Sequence, residues 1–251
     1  LADTTAPHFS LPFPTFAAMH VFFSNQITES GILLSAEESQ HALRVLRMKP
    51  GDMAEVLDGN GHRYQCKFEG ELKKQCLLSI SATEKVSPRK TDLCVAIAPT
   101  KNVDRFEWFL EKSTELGIET IVPLICQRSE RKVVKADRCH KVLVAAMKQS
   151  RNAWLPKLHT EITFAQFMKQ PAAPDEQRYI AHCYRHDLPH LKNLIKTGKI
   201  TLLIGPEGDF SETEVKAAID CGYKEISLGQ SRLRTETAGL AAVHTISLLD
   251  E

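Results

Sequence analysis

No stretch of the chain approaches the roughly 18 consecutive apolar residues a membrane-crossing helix needs, so no membrane association is expected. No C-x-x-C pair occurs, and the cysteine count of 7 is odd. A disulfide or zinc framework fits that set poorly; reduced, mostly buried thiols of a cytoplasmic protein are expected. Net charge is almost nil, +1 at pH 7, so any footprint for a polyanion must be local. Neither G-x-x-x-x-G-K-S/T nor G-x-G-x-x-G is found, which argues against a nucleotide hydrolase or a dinucleotide enzyme. What the chain does have is 251 residues, 43% hydrophobic and 25% charged, enough for one large or two small domains with a useful core.

Its most informative stretch is 201–238, TLLIGPEGDFSETEVKAAIDCGYKEISLGQSRLRTETA. The run 201–204 is apolar and β-branched and reads as a buried strand. It stops at GPEG, where glycine lets the backbone turn sharply and present its N–H and C=O groups. Ser211 with Glu214 forms a capping box for a helix, and Gly222 sits where that helix should close. A second run, 225–228, ends at Gly229, and another helix begins near Thr235. Two backbone-exposing loops thus follow two strand ends, where open α/β sheets bind ligands. Bare amides and carbonyls there can read a purine edge, although two plain strand-to-helix turns would look the same.

Residues 1–18 carry three prolines and no period, and read as an extension or a remnant outside the fold. From 19 to 87 short strands dominate, at 20–23, 53–58, 63–68 and 76–80, with a D-G-N-G hairpin signal at 58–61. One helix interrupts them from Ala36 to about Arg47, with Ser35 and Glu38 as its capping box. This is a small β-barrel pattern. A linker at 87–90 leads into a β-α-β unit over 93–124, which implies a parallel sheet. Phe106 and Trp108 read there as core or interface. Between 128 and 157 nine basic residues stand against Glu130 and Asp137, a local phosphate-binding footprint. A helix is expected over 138–153, with Ala145 and Ala146 permitting close packing. A strand at 179–183 carries His182 near its end; His182 and His186 alone do not make a metal site, and none is expected.

The runs GPEGDFSETE and LGQSRLRTETA, in that order and at that spacing, closely resemble the C-terminal signature of the RsmE family, as do HALRVLR at 41–47 and EKSTELG at 111–117. That family consists of SPOUT-class, S-adenosylmethionine-dependent methyltransferases acting on N3 of a uridine in 16S ribosomal RNA. The resemblance implies an α/β fold: a SPOUT trefoil-knot domain with a parallel sheet at 91–251, preceded by a small PUA-like β-barrel at 19–87. It implies a cytoplasmic homodimer acting on 16S rRNA or the assembled small ribosomal subunit. S-adenosylmethionine would be held at His182, Ile204, Gly205, Pro206, Gly208, Leu228, Gly229 and Leu233.

Under the same resemblance Arg234 would stabilise charge on a uracil carbonyl, with Glu236 or Glu207 accepting a proton or fixing Arg234. A structural Arg234–Glu236 ion pair is the plainer alternative. RNA would be met by Arg44, Arg47, Lys49, Arg128, Arg131, Lys132, Arg151 and Arg232. Two positions depart from the family pattern: Asp209 stands where a second glycine is usual, and Ser231 where an arginine is common. Rival expectations are a SPOUT enzyme acting on 23S or transfer RNA, and a non-catalytic RNA-binding protein.

Overall fold

The computed structural model describes residues 19–250 except Glu29 and His186. The expected extension at 1–18, and His186, lie outside the described residues.

Alternating apolar residues build the first sheet from β1 (His20–Phe23), β2 (Ile27–Thr28), β3 (Gly31–Leu33), β4 (Met53–Leu57), β5 (His62–Leu72) and β6 (Gln75–Lys85). Their order is β1-β4-β5-β6-β3-β2, antiparallel except for β1 beside β4. Phe22, Ile32, Val56, Phe68 and Leu78 fill its core. β2 and β3 escaped the sequence pattern, being too short to show an alternation. Helix α1 (Ala36–Gln40) starts where expected, with the Ser35 hydroxyl accepting from the Glu38 N–H. It does not run to Arg47: the chain widens into a π turn over His41–Val45, and Arg47 turns left-handed at φ 55°. Met48 N–H then closes on the Ala42 carbonyl, which ends the turn. Nor does Glu38 complete a capping box; its carboxylate pairs with Lys148 instead.

The second sheet is parallel throughout. In chain order its elements are β7 (Asp92–Ile97), α2 (Val103–Glu115), β8 (Thr120–Ile125), α3 (Ala136–Ser150), β9 (Lys157–Leu158), β10 (Ile162–Thr163), α4 (Phe164–Phe167), β11 (Gln177–Ala181), β12 (Lys199–Ile204), α5 (Glu212–Asp220), β13 (Lys224–Ile226) and α6 (Thr235–Ser247). Strand order is β10-β8-β7-β12-β11-β13, with β9 beside β8. Apolar side chains of helices and loops pack on both faces, as is usual for a parallel sheet. Val95, Ile97 and Leu202 pack with Phe106, Phe109, Leu110 and Val243 on one side. Ala96, Leu124 and Leu203 pack with Phe164, Phe210 and Val215 on the other. After β13 at the sheet edge the chain returns to its middle, where α6 packs on α2, β7 and β12. On the way Ser227 pairs with Pro189 and Leu191 of the β11–β12 connection, the passage in which the resemblance places the knot.

The β-α-β unit forms as the sequence spacing predicts, but Trp108 is 40% exposed while Phe106 is core. Ala145 faces solvent and makes no close packing.

The Glu119 carboxylate accepts from Leu93 N–H at 2.9 Å at the start of β7. Burial raises its pKa to about 7, against smaller opposing effects of that hydrogen bond and of Arg89. A carboxyl raised above its unfolded value contributes stability at low pH, and that contribution fades as pH climbs to about 7. Glu119→Gln keeps the acceptor and removes the charge. Its melting temperature should match wild type near pH 5 and exceed it by roughly 2–6 °C at pH 8. Equal melting at both pH values would refute this.

Candidate active site

Three loops meet beyond the carboxyl ends of β11, β12 and β13. The first leaves β12 as Gly205-Pro206-Glu207-Gly208-Asp209, with Gly205 and Pro206 buried. A Cβ on Gly205 would lie 3.0 Å from the fully buried Phe210 ring, so glycine here lets that ring pack close against the loop. The second follows β13. The Ser227 hydroxyl bonds both the N–H and the C=O of Gly229, whose φ of 133° favours glycine. Open space lies in front of Gly229. The buried Thr235 hydroxyl donates to the Gly205 carbonyl at 3.1 Å and joins the start of α6 to the first loop.

Carboxylates tie the strand ends together. Asp209, at φ 63°, accepts from Cys183 N–H just past β11 at 2.9 Å and from Phe210 N–H at 2.7 Å. The departure from the family pattern thus links two loops. Glu214 completes the Ser211 capping box and also accepts from Gln127 N–H beyond β8 at 2.8 Å.

Several expected site residues have other work. The His182 ring is enclosed: its Nδ1 accepts from Tyr184 N–H at 3.2 Å, so Nε2 carries the proton and donates to Glu225 at 3.0 Å. Both ring nitrogens are thus engaged, and the side chain is almost wholly buried. Arg128 was expected on RNA, yet its Nη1 donates to the Tyr184 hydroxyl and to the carbonyls of Gly208 and Phe210. Arg131 donates from Nε to the Thr100 carbonyl at 3.0 Å and from Nη2 to the Lys101 carbonyl at 2.8 Å. Glu207 accepts from Lys101 N–H at 2.9 Å, so together they hold the turn after β7.

The structural Arg234–Glu236 ion pair, the plainer alternative, is not formed. Arg234 is an exposed residue at the N-cap of α6. Glu236 is buried, with one carboxylate oxygen 3.8 Å from Arg105 Nε and the other, Oε2, without a partner. Arg105 on α2 was missed because nothing in its sequence neighbourhood announces a partner 131 residues away. Leu228 and Leu233 are half-buried beside the loops, and Arg232 lies near enough to Cys183 to lower its thiol pKa, against the larger upward effect of burial.

The basic footprint is also largely engaged. Arg138 pairs with Glu107 and Asp104, Lys141 with Glu37, and Lys148 with Glu38. Arg151, expected on RNA, lies 3.4 Å from Glu55 and donates to the Met19 carbonyl. Lys141 and Lys148 therefore fasten α3 to α1, and Arg151 at the end of α3 reaches Glu55 on β4. Arg44, Arg47, Lys49 and Lys132 are exposed, and their side chains make no hydrogen bond or ion pair among the described residues. No group of three or more His, Cys, Asp or Glu among the described residues could hold a metal ion.

Arg128→Ala removes one clamp from two loops at once. Its S-adenosylmethionine dissociation constant should rise about tenfold, the cost of a hydrogen bond or two. Calorimetry showing unchanged affinity would count against the clamp.

Glycine loops beyond the carboxyl ends of a parallel sheet, preceded by a smaller and mostly antiparallel sheet, describe a two-part α/β protein with a ligand site at its strand ends. The model of a family described as the RNA methyltransferase domain matches residues 87–247, and that of an RNA methyltransferase PUA domain matches 34–81. The ribosomal RNA small subunit methyltransferase E of Synechocystis is 30% identical over 234 residues, spanning 90% of this chain and 76% of that protein. Among solved structures, a probable rRNA-methyltransferase from Porphyromonas gingivalis has a TM-score of 0.84 at 36% identity, covering 92% of this chain and 98% of that one. The ribosomal RNA small subunit methyltransferase E of Neisseria gonorrhoeae, bound to S-adenosyl methionine, has a TM-score of 0.83 at 25% identity with the same coverage. The chain belongs to the RsmE family of RNA methyltransferases.

Proposed function

We propose that this protein transfers a methyl group from S-adenosylmethionine to N3 of a uridine in 16S rRNA, as free RNA or within the small ribosomal subunit. The observation that supports the reading is the Thr235–Gly205 hydrogen bond, which ties the start of α6, where the second glycine loop ends, to the first loop. The residues present fit the cofactor, since Gly229 faces open space and leaves room beside the second loop. Gly205, Pro206, Gly208 and Gly229 would hold the adenosine through backbone groups, with Ile204, Leu228 and Leu233 as apolar walls. The bound cofactor supplies the electrophilic methyl at its sulfonium.

The residues of the chain do the rest. N3 of uracil carries a proton that must leave as the new bond forms. Glu236 Oε2, which lacks a partner, is the acceptor for that proton, and Arg105 fixes the carboxylate from the other side. Arg234, exposed beside it, meets the negative charge that grows on the uracil carbonyl. The uridine must leave any base pair to expose N3. A cytoplasmic homodimer is the working form, and Trp108, exposed on the same helix as Arg105, suits an interface core.

Incubation of the purified protein with labelled cofactor and rRNA, followed by mass mapping, tests the reading. Methylation at N3 of a uridine in 16S rRNA is expected; methylation of another atom, of 23S or transfer RNA, or none at all, would overturn it. The exposed Arg44, Arg47 and Lys49 are the phosphate contacts of the barrel. Replacing all three with alanine should flatten the slope of log affinity against log salt by about 2–3. An unchanged slope would place the RNA elsewhere.

A further inference from the structure

The α4–α5 face of the parallel sheet is not fully covered. At its amino end lies a cleft of about 470 Å³, roofed by the 170–176 loop. Three strands line it with alternate residues: Asp92 and Cys94 on β7, Thr120 and Val122 on β8, Lys199 and Thr201 on β12. Residues two apart share one face of a strand, so this is a single wall of the sheet. All six belong to the first halves of their strands, whereas the methyl-transfer loops follow the last residues. From Thr201 to Gly205 along β12 is about 13 Å.

The cleft has the parts of a built site. Its inner polar groups are already arranged: Glu176 accepts from the Thr201 hydroxyl, from Arg178 Nε and from Ala173 N–H. The Arg178 guanidinium in turn stacks 5.3 Å from the centre of the Tyr223 ring. Phe167, Ile162 and Tyr223 supply flat and apolar surface. Around them the side chains of Lys157, Lys199, His159 and Asp92 make no hydrogen bond or ion pair among the described residues. Two ammonium groups call for an anion. An aromatic wall calls for a planar body. A lone carboxylate calls for hydroxyl or amine donors on the same ligand. The volume is in the range that encloses one small ligand, about 300–1,000 Å³.

We propose that this cleft binds a nucleoside monophosphate, at a site separate from the methyl-transfer hollow. Lys157 and Lys199 take the phosphate, Phe167 and Tyr223 flank the base, and Asp92 accepts from the ribose hydroxyls. A ligand here contacts β7 and β12, the strands whose far ends carry the Thr100 turn and Gly205.

The test is calorimetry of the full chain with AMP and UMP while S-adenosylmethionine is saturating. One site is expected, with a dissociation constant below about 1 mM. Charge reversal of two exposed lysines, Lys157→Glu with Lys199→Glu, should weaken it at least about tenfold and leave S-adenosylmethionine affinity unchanged. Inorganic phosphate alone and adenosine alone should each bind about tenfold more weakly than AMP. No heat with either nucleotide up to about 5 mM, loss of binding when the cofactor saturates, or equal affinity in the double variant would overturn the proposal. Phosphate binding as well as AMP would overturn it too.

Discussion

Replacing Arg234 with alanine is expected to slow single-turnover methyl transfer by about 10²–10³, the usual loss when one charge-stabilising donor is removed. Arg234 is an exposed side chain at the N-cap of α6 and makes no side-chain capping bond, so its removal leaves the fold alone. Cofactor affinity should stay within about twofold, because the proposed cofactor contacts are backbone groups of other residues. The two measurements together separate chemistry from binding. A variant that keeps its single-turnover rate would remove Arg234 from the mechanism. One that loses cofactor affinity would place it in the cofactor site instead.

Gly239→Val should be the most damaging single change in the catalytic unit. Gly239 lies in the middle of α6, where glycine costs about 1 kcal/mol relative to alanine. The packing explains why it is there: a Cβ would fall 2.7 Å from Phe109 and 2.8 Å from Ile97, both fully buried. Valine adds two methyl groups beyond that collision. A loss of about 3 kcal/mol is expected, read as a fall in melting temperature of roughly 6–12 °C. Cofactor binding should weaken with it, because Thr235 reaches Gly205 from the same helix. Unchanged melting would mean that α6 can shift away from β7 without cost.

Local signals in the sequence were strong where one element carries its own information. The Ser211–Glu214 box forms with both of its bonds, and the 93–124 spacing gives the parallel unit it implies. The glycines at 205 and 229 sit in loops that α6 brings together. Charge was the weaker guide. Arg128, Arg131 and Arg151 count as a basic footprint along the chain, yet each engages carbonyls or carboxylates from distant segments. A count of charges carries no information on partners that lie 30 or 80 residues away. For the same reason Arg105 stayed hidden, and Asp209 looked like a mere departure although it bridges two loops. His182 belongs to the same class, since its partner Glu225 comes from the next strand but one in the chain.

The ion pairs that fasten α3 to α1 have a practical consequence. Glu37 with Lys141 is exposed on both sides, and Glu38 with Lys148 is mostly covered. Exposed pairs weaken as counterions accumulate, whereas covered ones are shielded. Ionic strength therefore acts on the enzyme's own joint as well as on its grip of a polyanion. Salt that weakens the proposed phosphate contacts of the first sheet also weakens the exposed Glu37–Lys141 pair, so curves of affinity against salt need the unliganded protein measured alongside.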